Sequence, residues 1–147
     1  MSNLFFYTDG SCIGNPGPGG WAFLFLSDGK LIHEASGSES DTTNNRMEMR
    51  AAIEALSYAS EKHYTNISIY TDSKYLMDGI NLWIANWKNN SWKTSTKKPV
   101  KNIDLWKALD FLNTSIEVNW NWVKGHSDDF FNNRVDELAN LAANKRL

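Results

Sequence analysis

Cysteine is almost absent from this chain. Cys12 is the only one, which rules out an internal disulfide and a cysteine-based zinc site. No apolar run approaches the roughly 20 residues needed to cross a bilayer, so no membrane partner is expected. The opening MSNLFFYTDG lacks a basic n-region and has only a short apolar run, so it does not read as a secretory signal. The expected setting is the reducing cytoplasm. Positive charge is not in excess either: a net charge of -2 and a pI near 5.9 exclude a histone-like basic coat. Any nucleic-acid binding must therefore be local. Repeats, linkers and low-complexity tracts are missing too, so the 147 residues read as one domain, 1–147, large enough for a real core.

What is present is concentrated. Residues 83–102 hold five lysines (Lys88, Lys93, Lys97, Lys98, Lys101) and no carboxylate. Trp83, Trp87 and Trp92 are interleaved with them, and Trp106 follows. Lysines neutralise phosphates and flat rings pack on sugars or bases, so the segment fits a polynucleotide ligand. It equally fits a solvated lysine loop beside a tryptophan-rich core.

Periodicity orders the elements as β-β-β-α-β-α-α-α-β-α, an α/β layer structure. Residues 4–8 read as a strand ending in Asp9, and the Gly- and Pro-rich 10–20 as a loop. Strands are expected at 21–26 and 31–36, joined by an Asp28-Gly29 turn. A helix is expected over 45–60, with Asn45 and Glu48 as a capping box, and then a strand over 67–71. Further helices are expected from Tyr75 to Gly79, over 81–88, 99–112 and 133–145, with a strand over 116–123. In that strand Ile116, Val118, Trp120 and Trp122 share a face, and Asp136 falls in the first turn of the last helix.

Tyr7-Thr8-Asp9 and Tyr70-Thr71-Asp72 are near copies, each closing an apolar strand. With a helix between them, the two strands are expected to be parallel neighbours, which sets Asp9 and Asp72 side by side. Each aspartate alone is best explained as a cap on the next turn; the duplication weakens that explanation. Two adjacent carboxylates repel unless one holds a proton or a cation lies between them.

The segments YTDGSCIGNPGPGGW (7–21), TTNNRMEM (42–49), YTDSKYLMDGI (70–80), WIANWKNNSWKTSTKKPVKNIDLW (83–106), WVKGH (122–126) and RVDELA (134–139) resemble, in order and spacing, the bacterial-type ribonuclease HI family. The resemblance implies a ribonuclease H-like fold, a five-stranded mixed sheet flanked by helices. It implies a sequence-nonspecific endonuclease that hydrolyses the RNA strand of RNA/DNA hybrids, leaving 5′-phosphate and 3′-hydroxyl ends. It assigns Asp9, Glu48, Asp72 and Asp136 as metal ligands and His126 as a catalytic proton carrier or product-release residue. His33 and His63 match no family motif and are assigned as surface or structural residues.

Phosphodiester hydrolysis needs an activated water and a stabilised leaving oxygen, which two divalent ions ~3.5–4 Å apart can supply. Four carboxylates make a hard oxygen cage, so two Mg²⁺ ions with substrate, or Mn²⁺, are the expected cofactors. The expected partner is the hybrid, and the expected form a monomer. By the same resemblance Trp83, Lys88, Lys93, Lys97 and Lys98 belong to a basic protrusion that follows the DNA strand, with Trp87 and Trp106 as packing. Thr43 and Asn44 match a DNA-phosphate pocket. Asn15, Asn44 and Asn45, with the backbone of Gly10, Ser11 and Cys12, match groove contacts sensing the 2′-hydroxyl, the natural discriminator of RNA.

The chain departs from the family in places. Lys74 and Asp78 stand where relatives often carry glutamine, and Asp78 is given no binding role. The stretch Ser127-Asp-Asp-Phe-Phe131 lacks the usual His-Pro-Glu character, and Asp128 and Asp129 are read as solvated.

Overall fold

The computed structural model describes residues 3–125 and 129–145. In chain order the elements are β1 (Leu4–Cys12), β2 (Gly17–Ser27), β3 (Lys30–Thr42), α1 (Asn44–Glu61), β4 (Asn66–Thr71) and α2 (Lys74–Asp78). A π-helical turn at Gly79–Trp83 follows, then α3 (Ile84–Asn89), α4 (Ile103–Ser115), β5 (Glu117–Trp122) and α5 (Phe130–Asn144). The five strands form one mixed sheet in the order β3-β2-β1-β4-β5. β1–β2 and β2–β3 are antiparallel, while β1–β4 and β4–β5 are parallel.

The run WAFLFL in β2 is apolar without a break because both faces of the sheet are covered. Phe23 and Phe25 join Phe6, Ile67, Ile69, Leu56 and Trp106 in the larger core, under α1 and α4. Ala22, Leu24 and Leu26 point the other way and pack on Val135 and Ala139 of α5. Phe6 stacks on Phe25 with ring centroids 4.8 Å apart. Each such ring contributes about 1.5–3 kcal/mol through burial, so this aromatic layer is a main source of stability.

Several boundaries differ from the sequence expectation. The glycines of 10–20 are mostly strand: β1 runs on to Cys12 and β2 starts at Gly17, with Ser11 opposite Gly20 and Cys12 opposite Gly19. The reason is close approach rather than turning. A Cβ on Gly20 would overlap the Ala139 carbonyl oxygen and the Ala143 amide of α5. The Asp28-Gly29 turn forms as expected, with φ of 52° and 82°.

Helix α1 starts one residue early because Thr43, and not Asn45, is the N-cap; its hydroxyl accepts from the Arg46 amide at 3.2 Å. Glu48 is thereby released from the expected capping box. The helix expected from 99 begins only at Ile103, preceded by Asn102 at φ 60°. Pro99 instead bridges Lys93 across a short hairpin in the protrusion. The last helix begins at Phe130, not 133, so Asp136 lies beyond its first turn. The expected apolar face of β5 is incomplete: Ile116 is buried, whereas Trp122 is 44% exposed.

Candidate active site

The parallel register of β1 and β4 ends at Thr8 opposite Thr71, so Asp9 and Asp72 are the next residues along adjacent strands. Asp9 is not at the end of its strand, since β1 continues opposite β2 with Asp9 facing Ala22. Glu48 reaches the same spot from α1. Gly10 permits this, because any Cβ there would overlap the Glu48 amide. One oxygen from each of Asp9, Glu48 and Asp72 lies within 4.8 Å of the others.

Asp9 and Glu48 are buried, and Asp9 Oδ2 and Glu48 Oε1 have no hydrogen-bond partner among the described residues. Asp9 Oδ1 accepts from the Gly10 amide at 3.0 Å. Burial, followed by the negative charge of Asp72, pushes the Asp9 carboxyl up to about 9. Burial and the neighbouring Asp9 likewise hold Glu48 well above the usual carboxyl range. A buried carboxylate without a partner costs several kcal/mol, so such a cluster persists only with protons or cations to balance it. Its orphaned hard oxygens suit a divalent cation such as Mg²⁺ or Mn²⁺.

Asp136 is half-buried on α5 and lies outside the three-oxygen cluster, yet its charge adds to the upward push on Asp9. Asn140, one turn on, donates to Asp136 Oδ2 at 3.5 Å. His126 and Asp128 lie outside the described residues. Asp129 corrects the expectation of a solvated acid. It is the N-cap of α5, accepting from the amides of Phe131 and Asn132 at 3.0 and 3.1 Å, and from the Tyr7 hydroxyl.

Asn15, Thr43, Asn44 and Asn45 come together around a cavity of about 330 Å³, with Lys101 and Asn102 completing its wall. Asn15 Oδ1 accepts from the Asn44 amide at 2.8 Å, which ties the β1–β2 connection to the start of α1. Lys101 belongs to the lysine run within the 83–106 segment, but it is not among the residues assigned there as substrate contacts. It also lines an apolar cavity of about 330 Å³ with Tyr75, Trp83, Trp87, Thr94 and Val100. Its signal in the sequence is charge alone, and only folding shows which lysine faces a cavity.

Trp83 is half-buried and packs on Tyr75, Trp87 and Trp106 at centroid distances of 5.5, 5.8 and 6.3 Å. Trp106 is fully buried and donates through Nε1 to the Tyr75 hydroxyl at 3.3 Å, so it is a packing residue. The lysines are not equivalent. Lys88 pairs with Asp110 at 3.3 Å, while Lys93, Lys97 and Lys98 are exposed and form no ion pair among the described residues. Near Asp72, the Trp122 indole donates to the Asp72 carbonyl at 3.2 Å and Lys74 Nζ lies 4.6 Å from the ring centre. His33, expected to be surface or structural, stacks on Tyr58 at 5.0 Å.

A family model described as RNase H matches residues 1–144. A Ribonuclease H of Francisella philomiragia is 56% identical over 141 residues, covering 96% of this chain and 91% of that protein. Among solved structures, a type 1 RNase H with the type 2 active-site motif superposes with a TM-score of 0.88 at 31% identity, over 100% of this chain and 74% of that one. An RNase H1 crystallised in complex with RNA/DNA hybrid shares the fold, with a TM-score of 0.77 at 23% identity over 97% of this chain and 98% of that one.

Proposed function

The chain belongs to the ribonuclease H family, and from that premise we infer that it hydrolyses the RNA strand of RNA/DNA hybrids, leaving 5′-phosphate and 3′-hydroxyl ends. The observation that carries this reading is the cluster of Asp9, Glu48 and Asp72, with two buried oxygens that have no hydrogen-bond partner among the described residues. Asp136, on α5 beside it, is the fourth ligand in this proposal. Divalent ions, Mg²⁺ or Mn²⁺, supply the activation of water and the charge stabilisation that phosphodiester hydrolysis needs.

The protein's own part is to hold ligands and place the strand. Asp9 and Asp72 are fixed by the paired strands, Glu48 by the backbone contact at Gly10, and Asp136 by the packing of α5. The raised affinity of Asp9 and Glu48 for protons means that cation and proton compete for the cluster. His126 is proposed to carry a proton or assist product release, roles open to an imidazole side chain.

Substrate contact is assigned to two surfaces. Asn15, Thr43, Asn44 and Asn45 surround a polar cavity suited to a backbone phosphate and to groove atoms, including the 2′-hydroxyl. Trp83, with Lys93, Lys97 and Lys98, offers a ring and cations to the DNA strand, and Lys88 contributes less because Asp110 already balances it. Contacts of this kind carry little sequence information, in keeping with nonspecific cleavage.

We further propose that residues 1–147 work as one ribonuclease H domain, as a monomer in the cytoplasm. No helix among the described residues is long and apolar enough to cross a membrane, and Cys12, the only cysteine, is half-buried. The test is a gel comparing labelled RNA/DNA, RNA/RNA and DNA/DNA duplexes with and without Mg²⁺. The expected result is cutting of the RNA in the hybrid alone, and only with metal. Binding without cutting would make the chain a hybrid-binding module instead.

A further inference from the structure

Tyr7 and Tyr70 stand opposite each other on β1 and β4, with rings stacked 4.9 Å apart at 17°. Each precedes an aspartate by two residues, and strand alternation along β1 puts the Tyr7 ring on the same sheet face as Asp9. That face is covered by α5, whose Phe131 ring lies 5.7 Å from Tyr7. Turn chemistry explains neither the repeat of Tyr in the duplicated tripeptide nor the site of contact with α5.

The Tyr7 hydroxyl donates to Asp129 Oδ2 at 3.1 Å. The other oxygen of the same carboxylate accepts the Phe131 and Asn132 amides at the start of α5. One side chain thus joins the first turn of the helix to the strand that carries Asp9. Asp136 is seven residues further along, about 10 Å of helical rise. A slip or tilt of α5 would move it relative to Asp9.

Other contacts hold α5 around and beyond Asp136, where Val135 is buried, while Phe131 meets Tyr7 at the helix start. Gly20 lies against Ala139 and Ala143 past Asp136, and Arg134 grips Glu34 of β3 through Nε at 2.9 Å and Nη2 at 3.1 Å. The Tyr7–Asp129 hydrogen bond ties the helix start directly to β1.

We propose that Tyr7 and Asp129 are a positioning pair that sets the N-terminus of α5 against β1 and so holds Asp136 at the Asp9–Asp72 edge. Neither residue touches substrate. The pair rests on the reading of these acids as the metal site of a hydrolase.

The experiment uses the full chain with Tyr7→Phe, which keeps the stacked ring and removes only the hydroxyl. Asp129→Asn is the second variant; it keeps one acceptor oxygen and loses the other. Three quantities are measured for each: kcat and KM on a hybrid in Mg²⁺, Mn²⁺ affinity of the substrate-free protein by electron paramagnetic resonance, and the thermal midpoint. We expect kcat to fall roughly tenfold or more while KM stays within about twofold, with Mn²⁺ binding weakened several-fold. Parental kcat and Mn²⁺ affinity in the variants would overturn the proposal, even with a lower thermal midpoint, because a plain helix cap predicts that pattern. Should Tyr7→Phe fail to fold, Asp129→Asn decides by the same readouts. A parent chain that does not cut hybrids sinks the hydrolase reading instead, and the pair is then judged on the Mn²⁺ titration.

Discussion

Gly10 and the backbone amide of Glu48 are so close that a Cβ on the glycine would overlap it. Strand β1 and helix α1 therefore meet at backbone distance at the point where Asp9 and Glu48 converge. Gly10→Ala must force the two apart. It should destabilise the protein by about 1–3 kcal/mol and weaken Mn²⁺ binding at the same time. Urea unfolding together with a Mn²⁺ titration checks both; reduced stability with parental Mn²⁺ affinity would show that Glu48 is placed by something else.

The metal-free protein should become less stable as pH rises. Burial and neighbouring acids raise the folded-state affinity of Asp9 for a proton from an ordinary 3.8 to about 9, and Glu48 shifts the same way. Between those values the folded chain holds more protons than the unfolded one, so stability from this site is full below the ordinary range and lost as pH climbs toward 9. Asp9→Asn removes the share of that penalty that Asp9 contributes. In EDTA at pH 8 the variant should exceed the parent by on the order of 2–4 kcal/mol, with the gap shrinking toward pH 5. A variant no more stable than the parent at pH 8 contradicts the raised pKa.

How far the sequence led depends on whether a feature is local. The duplicated Tyr-Thr-Asp carried enough information to set β1 beside β4, and the unbroken apolar run of β2 reflects a sheet covered on both faces. Motif resemblance carried Glu48 and Asp136, which periodicity could not bring to the site. Glycine misled: 10–20 reads as a loop because turns and close-packed strands both demand glycine, and only tertiary packing on α5 separates the two. Glu48 likewise fitted a capping box until Thr43 took the cap. Asp129 was read as solvated because the last helix was expected only from 133, which hid its capping role, and because its other partner, Tyr7, is 122 residues away.

The lysines of the protrusion should contribute unequally. Replacing Lys93, Lys97 and Lys98 with alanine should weaken hybrid binding and lower the salt slope by about one for each phosphate left without its lysine. Lys88→Ala should change the slope less, since Asp110 lies 3.3 Å away and already balances the charge. Hybrid affinity measured across a range of KCl concentrations distinguishes them, and equal slopes for all four single variants would show that the Asp110 pair is irrelevant to binding.

Trp106 is fully buried and donates to Tyr75, with Trp83 and Trp87 packed around it. Trp106→Phe leaves a void and takes away one of the two donors to the Tyr75 hydroxyl, the other being Asn102. The variant should be less stable by about 2–3 kcal/mol, which thermal unfolding checks. Hybrid affinity should fall with it, because the wall of the apolar cavity beside Trp83 loosens, and an unchanged affinity would separate that cavity from substrate binding.

Cutting and gripping are assigned to different parts of this molecule: acids at the edge of β1 and β4, lysines and a tryptophan on the protrusion. Asp72→Asn tests that division most directly, with hybrid affinity and cleavage in Mg²⁺ measured on the same preparation. The predicted result is affinity within about threefold of the parent and cleavage reduced by roughly a thousandfold or more. A variant that cut the hybrid as fast as the parent would contradict the assignment of the site.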